Sequence, residues 1–533
     1  MKKIHPLLLS LLSGLLLFAA WPVSPLTLLI FVAWIPLLLI EQQGLSKLKF
    51  FYFAYLTLFI WNVSTTWWIW NASAPGAIGA ILANSLLMTI PWLGFYSTKK
   101  RFGNKIGYLS LIIYWLAFEY IHLQDWGLSW PWLTLGNIFA THTEWIQWYS
   151  LTGSSGGSLW VMIINILLFQ SIYDVQSTMY VIRWKKVFLS LSIIILPILF
   201  SFVMSINIHT DVAPPIENIV IVQPNIDPYE KISTGSFDAQ LQKLISLSEQ
   251  QIDSNTALVI WPETALYMDN GIEENKMKEN YFLKPLWGFL QRHPNIKLFS
   301  GVESYHVFDN KTSVNARPIQ GTGFYYESYN GSALLDSSGP LQFYHKSMLV
   351  PGVETLPWFL HFLDHWFEKF GGTTAGYTKQ DERKVLTDTK SGYKIAPAIC
   401  YESIYGEYMS KYIRNGANII AVITNDGWWG NTPGYKQHMN YARLRAVESG
   451  HWVLRSANTG ISCVINEYGN VMEEQPWNKA AAIKYRVPQK TRTTVFVDMG
   501  DLISKAALAL TALLLAWTLY DFIRKKLNSA KAN

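Results

Sequence analysis

Three residues of this chain could together carry out nucleophilic chemistry. Glu263, Lys346 and Cys400 stand in the segments WPETAL, YHKSML and APAICYES. A thiol attacks a carbonyl only as the thiolate, so it needs a base for its proton and a positive charge nearby. Glu263 could be the base, and Lys346 could stabilise the thiolate and the oxyanion formed after attack. The trio therefore predicts a cysteine nucleophile.

Each of these residues has a more ordinary explanation when taken alone, because single Glu and Lys are usually solvated and a single Cys is usually a small buried hydrophobe. Their contexts favour chemistry. Glu263 follows the apolar run ALVIW and a Pro, where a strand ends, and Cys400 lies between the strand-like YKIAPAI and the helix-like ESIYGEYMSKYI. A strand-to-helix turn commonly presents a nucleophile beside free backbone N–H groups.

The segment that carries the trio alternates short β-rich runs with helical stretches. NIVIVQPNI, ALVIWPET, KLFSGVES, YKIAPAI and ANIIAVITND predict strands, and FDAQLQKLISLSEQQI predicts a helix. This order indicates an α/β domain with buried central strands.

The rest of the chain has the composition of a membrane protein. Of its 533 residues, 50% are hydrophobic and only 15% are charged, which is typical of a chain that is partly embedded in a bilayer. Because the first two segments are short for the roughly 20 residues that a bilayer requires, they could form a shallow or tilted hairpin. The predicted spans are residues 6–20, 25–40, 49–70, 77–97, 106–122, 158–173, 187–206 and 503–522.

Lys and Arg occur in alternate loops between these spans, after the second, fourth, sixth and eighth. By the positive-inside rule both termini face the cytoplasm and residues 211–500 face outward, into the periplasm of a two-membrane bacterium. The net charge of +6 therefore reflects membrane topology and predicts no nucleic-acid partner. The first span lacks an A-x-A cleavage pattern, which predicts a retained anchor.

We therefore predict three regions. Residues 1–210 form a transmembrane bundle of about seven spans. Residues 211–500 form the catalytic domain, entered through the Pro-rich linker DVAPPIE, and residues 501–533 form a transmembrane helix and cytoplasmic tail. An anchor at both ends would keep the domain close to the lipid surface.

Several motifs resemble a known family. WPET, a Lys followed by LVPGVETLP, then CYES and TNDGWWG are similar to the nitrilase superfamily, whose members use a Glu-Lys-Cys triad. The bundle with SWPWLTLGN, the late segment HMNYARLRAVESGHWVLRSANTGIS and the single C-terminal span together resemble the apolipoprotein N-acyltransferase family. The fold that the resemblance implies is a membrane α-helical bundle plus an α/β nitrilase-like domain, an αββα sandwich.

The resemblance implies that Glu263 is the base, Lys346 the transition-state stabiliser and Cys400 the acyl-carrying nucleophile, with Glu354 and Glu402 in support. Two departures stand out. The chain reads PGVETLP around Glu354 where the family pattern resembles PFGEYVP, and it reads DPYEKI where the family places a Trp. Tyr229 is the residue that could replace that Trp as a lipid contact.

The activity implied is transfer of an acyl chain from a phospholipid, through a cysteine thioester, to the α-amine of the diacylglyceryl-cysteine of an apolipoprotein. No cofactor or metal is expected, and we expect a monomer in the bacterial inner membrane. One alternative is a membrane-tethered nitrilase-type amidase, which would pass the same thioester to water. Another is a transporter or scaffold, which would place several ionisable groups within the spans, where the sequence shows essentially one, Glu119.

Cys400 and Cys463 are the only cysteines, and an outward-facing compartment is oxidising, so a disulfide is the ordinary expectation. We favour a free Cys400 because Cys463 lies in the strand-like ISCVIN, whereas Cys400 lies at an element boundary.

Three features have two interpretations. Residues 356–372, LPWFLHFLDHWFEKFGG, could be a core-packed amphipathic helix or an interfacial lid in which Trp358 and Trp366 contact lipid. Trp130 and Trp132 could belong to an interfacial belt or to a lipid entrance. Glu119 could be functional, but we favour a position near the outer end of its span, from which it reaches the interface.

Overall fold

The computed structural model describes residues 4–175, 179–206, 217–231, 237–269, 271–355, 376–489 and 493–532. The chain divides into two compact units. The bundle unit comprises Met1–Trp67, Ala77–Met204 and Met499–Asn533, and the sheet unit comprises Trp68–Gly76 and Ser205–Asp498. The linker DVAPPIE and the segment with Trp358 and Trp366 fall almost wholly outside the described residues.

The bundle unit is built from helices. They are α1 (Pro6–Ala20), α2 (Ile35–Glu41), α3 (Lys47–Thr66), α4 (Ala74–Leu87), α5 (Thr89–His122), α6 (Tyr149–Thr152), α7 (Ser154–Ile172), α8 (Trp184–Ile206) and, near the C-terminus, α15 (Leu502–Ala532). A two-stranded ribbon of β1 (Tyr173–Asp174) and β2 (Met179–Tyr180) lies between α7 and α8.

Helix α5 is a hairpin of two helical halves. Gly103 has φ 84°, a left-handed value that interrupts the helix. The halves then lie side by side, because the hydroxyls of Thr98 and Tyr114 are 3.0 Å apart and a Cβ on Gly107 would collide with Lys99. Two passes therefore meet at Gly103, as the separate spans 77–97 and 106–122 predict.

Four described helical segments are both long enough and apolar enough to cross a membrane. They are Ala74–His122, Ser154–Ile172, Trp184–Ser205 and Leu502–Ser529, with shorter apolar helices at Pro6–Ala20 and Thr27–Glu41. The predicted span 49–70 ends earlier than expected: α3 stops at Thr66, and the next residues form a 3₁₀ turn, Trp67–Asn71.

Tryptophans form the centre of the bundle. The ring of Trp34 lies 5.7 Å from Trp61, 5.1 Å from Trp92 and 5.2 Å from Trp115, and all four side chains are buried. Trp21 packs edge-on against Trp61 at 5.3 Å. These large side chains join the N-terminal end of α2, helix α3 and both halves of α5 in one apolar core.

The structure corrects the expectation for Glu119. Its side chain is only 4% exposed, and its Oε1 accepts hydrogen bonds of 2.8 Å from Trp115 Nε1 and from the backbone N–H of Leu135. The carboxylate thus holds the SWPWLTLGN loop against α5 instead of reaching the interface. In that loop Trp132 is buried and stacks on Trp130 at 5.5 Å.

The sheet unit contains the remaining strands and helices. Its strands are β3 (Asn218–Gln223), β4 (Thr256–Ile260), β5 (Ile272–Glu273), β6 (Lys297–Phe308), β7 (Arg317–Pro318), β8 (Tyr325–Leu335), β9 (Gln342–His345), β10 (Leu386–Thr387), β11 (Lys394–Ile399), β12 (Ile419–Thr424), β13 (Val453–Ala457), β14 (Ser462–Ile465), β15 (Val471–Gln475) and β16 (Ala481–Arg486). Its helices are α9 (Pro228–Lys231), α10 (Phe237–Glu249), α11 (Lys284–Arg292), α12 (Gly406–Arg414), α13 (Pro433–Ser449) and α14 (Val495–Met499).

These strands form two sheets. The first has the order β16-β3-β4-β6-β8-β7, with β5 beside β6 and β9 beside β8, and the second has the order β10-β11-β12-β13-β14-β15. The central pairs β3–β4, β4–β6, β11–β12 and β12–β13 are parallel. Parallel strands need two buried faces, and the apolar run IIAVI in β12 meets that requirement.

The two sheets face each other, and helices cover their outer faces. Ser456 Oγ of β13 donates to the carbonyl of Val222 in β3 at 2.7 Å, which joins the sheets directly. Leu244 of α10 and Phe289 of α11 pack against the first sheet in one buried cluster with Val259 and Trp261. With α12 and α13 on the second sheet, the predicted αββα sandwich is confirmed.

Two of the predicted site residues come shortly after the carboxyl ends of parallel strands. Glu263 follows the carboxyl end of β4, and Cys400 follows the carboxyl end of β11. Ligand and active sites of such sheets commonly lie at these strand ends. Lys346 comes one residue after β9 ends at His345.

Candidate active site

Glu263 lies in a turn that the first sheet holds tightly. Its neighbour Thr264 has φ 48°, a left-handed value, and the backbone N–H of Leu266 donates to the carbonyl of Gly301 in β6. A Cβ on Gly301 would come within 2.6 Å of the Cα of Glu263. The glycine therefore allows strand β6 to pass directly behind the carboxylate.

Hydrogen bonds from both sheets fix the Glu263 carboxylate. Its Oε1 accepts from Asn330 Nδ2 at 2.9 Å and from Lys346 Nζ at 3.3 Å. Its Oε2 accepts from the backbone N–H of Asn425 at 3.1 Å, immediately after strand β12. Since Asn330 lies in β8 and Asn425 follows a strand of the second sheet, the carboxylate is fixed by both sheets.

Lys346 is paired with two carboxylates. Its Nζ donates to Glu354 Oε1 at 2.8 Å as well as to Glu263, and its side chain is only 1% exposed. Burial by itself would lower the pKa of Lys346, but Glu354 and Glu263 raise that pKa well above its ordinary value. The amine is therefore held as a cation, aimed by two fixed oxygens.

Glu354 lies in the PGVETLP loop, whose sequence departs from the family pattern. Pro351 and Thr355 form a bridge across the loop, and Glu354 Oε2 accepts from the backbone N–H of Val350 at 2.8 Å. Asn330 Nδ2 donates to Glu354 Oε1 at 2.9 Å and to Glu263. The loop thus places Glu354 on Lys346 despite its altered sequence.

Cys400 has an unusual backbone. It opens a 3₁₀ turn, Cys400–Ile404, directly after β11, and its φ of 53° lies in the left-handed region. For a residue with a Cβ that conformation costs about 1–2 kcal/mol, so the surrounding contacts must hold it. A sharp turn between a strand and a helix lifts the side chain out of the sheet, as in other nucleophile turns.

The Cys400 thiol is held neutral at rest. Burial raises its pKa above the ordinary range, and the negative charge of Glu263 raises it further, whereas Lys346 and a hydrogen bond with Thr424 lower it. The same interactions show that the thiol lies close enough to Glu263 and Lys346 to be affected by both charges. At neutral pH the arrangement is a thiol beside an anchored carboxylate, so a proton must leave during the attack.

Glu402 joins the turn after β11 to the turn after β9. Its Oε2 accepts from the backbone N–H of Ile399 at 2.8 Å, and its Oε1 accepts from that of Ser347 at 2.7 Å. The hydroxyls of Tyr344 and Tyr408 each donate to Oε1 at 2.6 Å. Burial raises the pKa of Glu402, and these donors oppose that rise. Glu402 therefore fixes the positions of Lys346 and Cys400 relative to each other.

A buried network of His438, Asp426 and Arg455 contacts the backbone carbonyl of Cys400. His438 Nε2 lies 3.1 Å from the carbonyl oxygen of Cys400, and His438 Nδ1 lies 2.9 Å from Asp426 Oδ1. Arg455 Nη2 donates to Asp426 Oδ2 at 2.5 Å. Although burial would raise the pKa of Asp426, Arg455 and His438 hold it at about 2. The ionised Asp426 orients the imidazole toward the Cys400 carbonyl.

Both cysteines are free thiols, as the sequence favours. Cys463 lies in β14 and is fully buried.

Of the three residues predicted as possible lipid contacts, the structure describes only Tyr229. Tyr229 is 59% exposed, its hydroxyl donates to the carbonyl of Asn71 at 3.3 Å, and its ring meets Trp428 edge-on at 5.2 Å. None of these contacts is with the predicted triad. Trp358 and Trp366 lie outside the described residues, so the choice between lid and core helix stays a prediction.

Sequence reasoning assigned no role to several residues that hold the site. Asn330 and Gly301 lie in segments without a recognised motif, and their partners are far away in sequence. His438 begins HMNYARLRAVESGHWVLRSANTGIS, which carried the resemblance without giving this residue a role. Asn425 and Asp426 stand in TNDGWWG, which carried the resemblance. An Asn and an Asp directly after a buried strand were the available signal, since polar groups at strand ends commonly belong to sites.

Within the described ranges, no group of three or more His, Cys, Asp and Glu residues is arranged to hold a metal ion.

Comparison with known proteins covers both units. The family model described as carbon-nitrogen hydrolase matches residues 219–495, and the model described as apolipoprotein N-acyltransferase N-terminal domain matches residues 13–167. Among solved structures, the chain is similar to Nit3 of Saccharomyces cerevisiae, a member of the nitrilase superfamily. That similarity has a TM-score of 0.38 and 16% identity, and covers 52% of this chain and 92% of Nit3.

Curated relatives extend the match to nearly the whole chain. The apolipoprotein N-acyltransferase of Chlorobaculum tepidum is 31% identical over 521 residues, which is 96% of each protein. That of Rickettsia prowazekii is 30% identical over 75% of this chain and 74% of its own length. Since the match with the first relative runs through bundle and sheet unit alike, the chain belongs to the apolipoprotein N-acyltransferase family.

Proposed function

We propose that this membrane acyltransferase moves an acyl chain from a phospholipid to Cys400 and then to the α-amine of a diacylglyceryl-cysteine at the N-terminus of an apolipoprotein. Family membership makes the chain an enzyme of lipoprotein N-acylation. The donor, the thioester and the residue roles are the proposed part. The single observation that carries them is that the Glu263 carboxylate accepts hydrogen bonds from Lys346 and from the backbone N–H of Asn425. Asn425 follows β12, which pairs in register with β11, the strand that Cys400 follows.

In the first half-reaction Glu263 takes the thiol proton while the sulfur attacks the acyl ester carbonyl of the phospholipid. The tetrahedral intermediate carries a negative oxygen, which the Lys346 ammonium stabilises. The ester C–O bond then breaks, and the proton on Glu263 passes to the glycerol oxygen. The products are a Cys400 thioester and a lysophospholipid, and no charge is left over.

In the second half-reaction the α-amine attacks the thioester carbonyl, and Glu263 takes a proton from its nitrogen. The C–S bond breaks, and Cys400 leaves as a thiolate that is reprotonated from Glu263. An amide forms, and the enzyme returns to its starting state. Because the lysophospholipid departs before the amine reacts, the kinetics are ping-pong.

The supporting carboxylates have separate roles in this scheme. Glu354 and Asn330 hold the Lys346 ammonium and the Glu263 carboxylate at fixed positions. Glu402 keeps the Cys400 turn in register with Lys346 through Ile399 and Ser347. Such fixed groups need little reorganisation when the oxyanion forms.

The proposed location is the bacterial inner membrane, with the sheet unit on the periplasmic side. The alternate distribution of Lys and Arg in the loops supports this orientation. Both substrates would then be lipids of the outer leaflet.

The proposal is tested by incubating purified protein with acyl-labelled phospholipid, in the presence and in the absence of a diacylglyceryl-cysteine peptide. The expected result is label on the peptide amine and a stoichiometric lysophospholipid. Release of free fatty acid, with an unlabelled peptide, would instead support the membrane-tethered amidase. Transport or scaffold activity that survives Cys400→Ala, without acyl transfer, would overturn both.

A further inference from the structure

A basic groove lies in the bundle unit, formed by the hairpin turn of α5, the start of α3 and the end of α15. Its volume is about 730 Å³, and its walls include Lys47, Lys100, Arg101, Lys525, Lys526 and Phe522. All of these residues belong to the bundle unit, and the predicted triad belongs to the sheet unit. The groove is therefore distinct from the candidate active site.

The groove carries excess positive charge. Asp521 Oδ2 accepts from Arg101 Nε at 2.6 Å and lies 3.1 Å from Lys525 Nζ. Lys47, Lys100 and Lys526 have no ion-pair partner in the part of the chain that the structure describes. Asp521 thus pairs with two of the five cations, and the charge of the other three favours an anion.

The helices that form the groove are packed against one another. Phe102 stacks on Trp517 at 4.4 Å, which joins α5 to α15 beside the Arg101–Asp521 pair. Tyr96, also in the wall, donates from its hydroxyl to the carbonyl of Leu45 at 2.8 Å. Cations from three helices therefore have a fixed spacing.

One wall of the groove is apolar and open. Phe522 is 56% exposed and follows the apolar part of α15, which is long enough to cross a bilayer. The positive-inside rule predicts that the hairpin turn and the end of α15 lie at the cytoplasmic surface. A ligand there meets ammonium groups at headgroup level and aromatic carbon toward the hydrocarbon.

We propose that this groove binds an anionic phospholipid of the cytoplasmic leaflet, with its phosphate among Lys100, Lys525 and Lys526 and its acyl chains along Phe522. Basic pockets between membrane helices on the cytoplasmic side are suited to such headgroups. A zwitterionic phospholipid binds more weakly, because its own ammonium group is repelled by the lysines.

The test uses the full-length protein in a non-ionic detergent and dioctanoyl phosphatidylglycerol, with binding followed by native mass spectrometry. The groove variant combines Lys100→Gln, Lys525→Gln and Lys526→Gln. Each basic group near an anionic headgroup contributes about fivefold in affinity, so this variant binds about 100-fold more weakly. Dioctanoyl phosphatidylethanolamine shows little saturable binding to either protein.

A matched control removes the same charge elsewhere in the bundle unit. Lys49, Lys105 and Lys185 are exposed and do not line the groove. Their combined change to Gln keeps the affinity within about twofold. Equal losses in both triple variants, or full binding by the groove variant, would overturn the proposal. Complete displacement of the lipid by equimolar inorganic phosphate would also overturn it, since the site would then recognise a free anion.

Asp521→Asn gives a result that misfolding cannot imitate. Removing the carboxylate frees Arg101 and Lys525 for the ligand, so the variant binds dioctanoyl phosphatidylglycerol about fivefold more tightly. An unchanged or weaker affinity in a variant with native helicity would contradict the assigned position of the phosphate.

Discussion

The end of strand β11 and the middle of strand β14 each hold a cysteine, and the two cysteines differ in backbone conformation and surroundings. Cys463 is paired in register with Arg455 and Glu474 on its two neighbouring strands. Cys400 has left its strand and has a left-handed φ of 53°. Burial raises the pKa of both thiols, that of Cys463 to about 12 and that of Cys400 above the ordinary range.

Because the pKa of both thiols is raised, the pKa does not distinguish the proposed nucleophile, Cys400, from the structural cysteine, Cys463. The difference lies in the neighbours. Charged groups act on both thiols, but Cys400 is partly exposed and stands at a strand end beside Glu263 and Lys346. Cys463 is fully buried in mid-strand between its two neighbouring strands. Reactivity in this fold would come from a base and a stabilising charge that act during attack, and not from a resting thiolate.

Replacing each cysteine by Ala should produce the largest contrast. Cys400→Ala removes the attacking atom and should lower acyl transfer by about 10⁴-fold or more. Cys463→Ala removes only a buried sulfur, so its rate should stay within about threefold of the parent, with a modest loss of thermal stability. Rates of label transfer to a diacylglyceryl peptide, with melting temperatures beside them, measure both. Equal losses in the two variants would remove the distinction.

Glu263→Gln should separate the two effects of that carboxylate. Loss of the base should slow acyl transfer by about 10²–10⁴-fold. Loss of its negative charge, which raises the pKa of the Cys400 thiol, should lower that pKa. Alkylation of Cys400 by iodoacetamide at about pH 9 should then become faster, because more thiolate is present.

Glu354→Gln is the control for this experiment. Glu354 pairs with Lys346, whereas Glu263 is the carboxylate that raises the thiol pKa most. The rate at which Cys400 is alkylated in the Glu354→Gln protein should therefore stay close to the rate in the parent. Slower alkylation in Glu263→Gln would show that the carboxylate acts on the resting thiol in a way opposite to the one described.

Lys346→Gln should lower acyl transfer by about 10²–10³-fold, mainly in kcat, because the cation acts on the oxyanion of the transition state. The same change should slow alkylation, since Lys346 lowers the pKa of the thiol. Steady-state kinetics with the phospholipid varied would separate kcat from KM. A loss confined to KM would assign Lys346 to donor binding instead.

The sequence marks the strand ends that precede Glu263 and Cys400, and its alternating pattern predicts an α/β domain, while the αββα sandwich was implied by the family resemblance. It does not predict the supports. Asn330 lies 67 residues from Glu263, and Asn425 lies 162 residues from it, so only the folded sheets show that they meet. Glu119 was expected at the interface, because a sequence does not reveal that the Leu135 backbone folds back onto it.

His438 gives the smallest expected effect. His438→Leu removes the contact with the Cys400 carbonyl and should reduce kcat by about tenfold with little change in KM. His438→Gln retains a side-chain N–H that can donate to the same oxygen and should recover most of that loss. Equal kcat values for the two variants would show that packing, and not the hydrogen bond, is what matters there.

The central claim is that Cys400 carries the acyl group between two substrates. Intact-mass measurement of the full-length protein after mixing with phospholipid alone tests this most directly, followed by peptide mapping and addition of a diacylglyceryl-cysteine peptide. One acyl adduct is expected, located on Cys400, and it should disappear as the peptide gains the same mass. Acylation of the peptide by the Cys400→Ala protein, or an adduct on another residue, would contradict it.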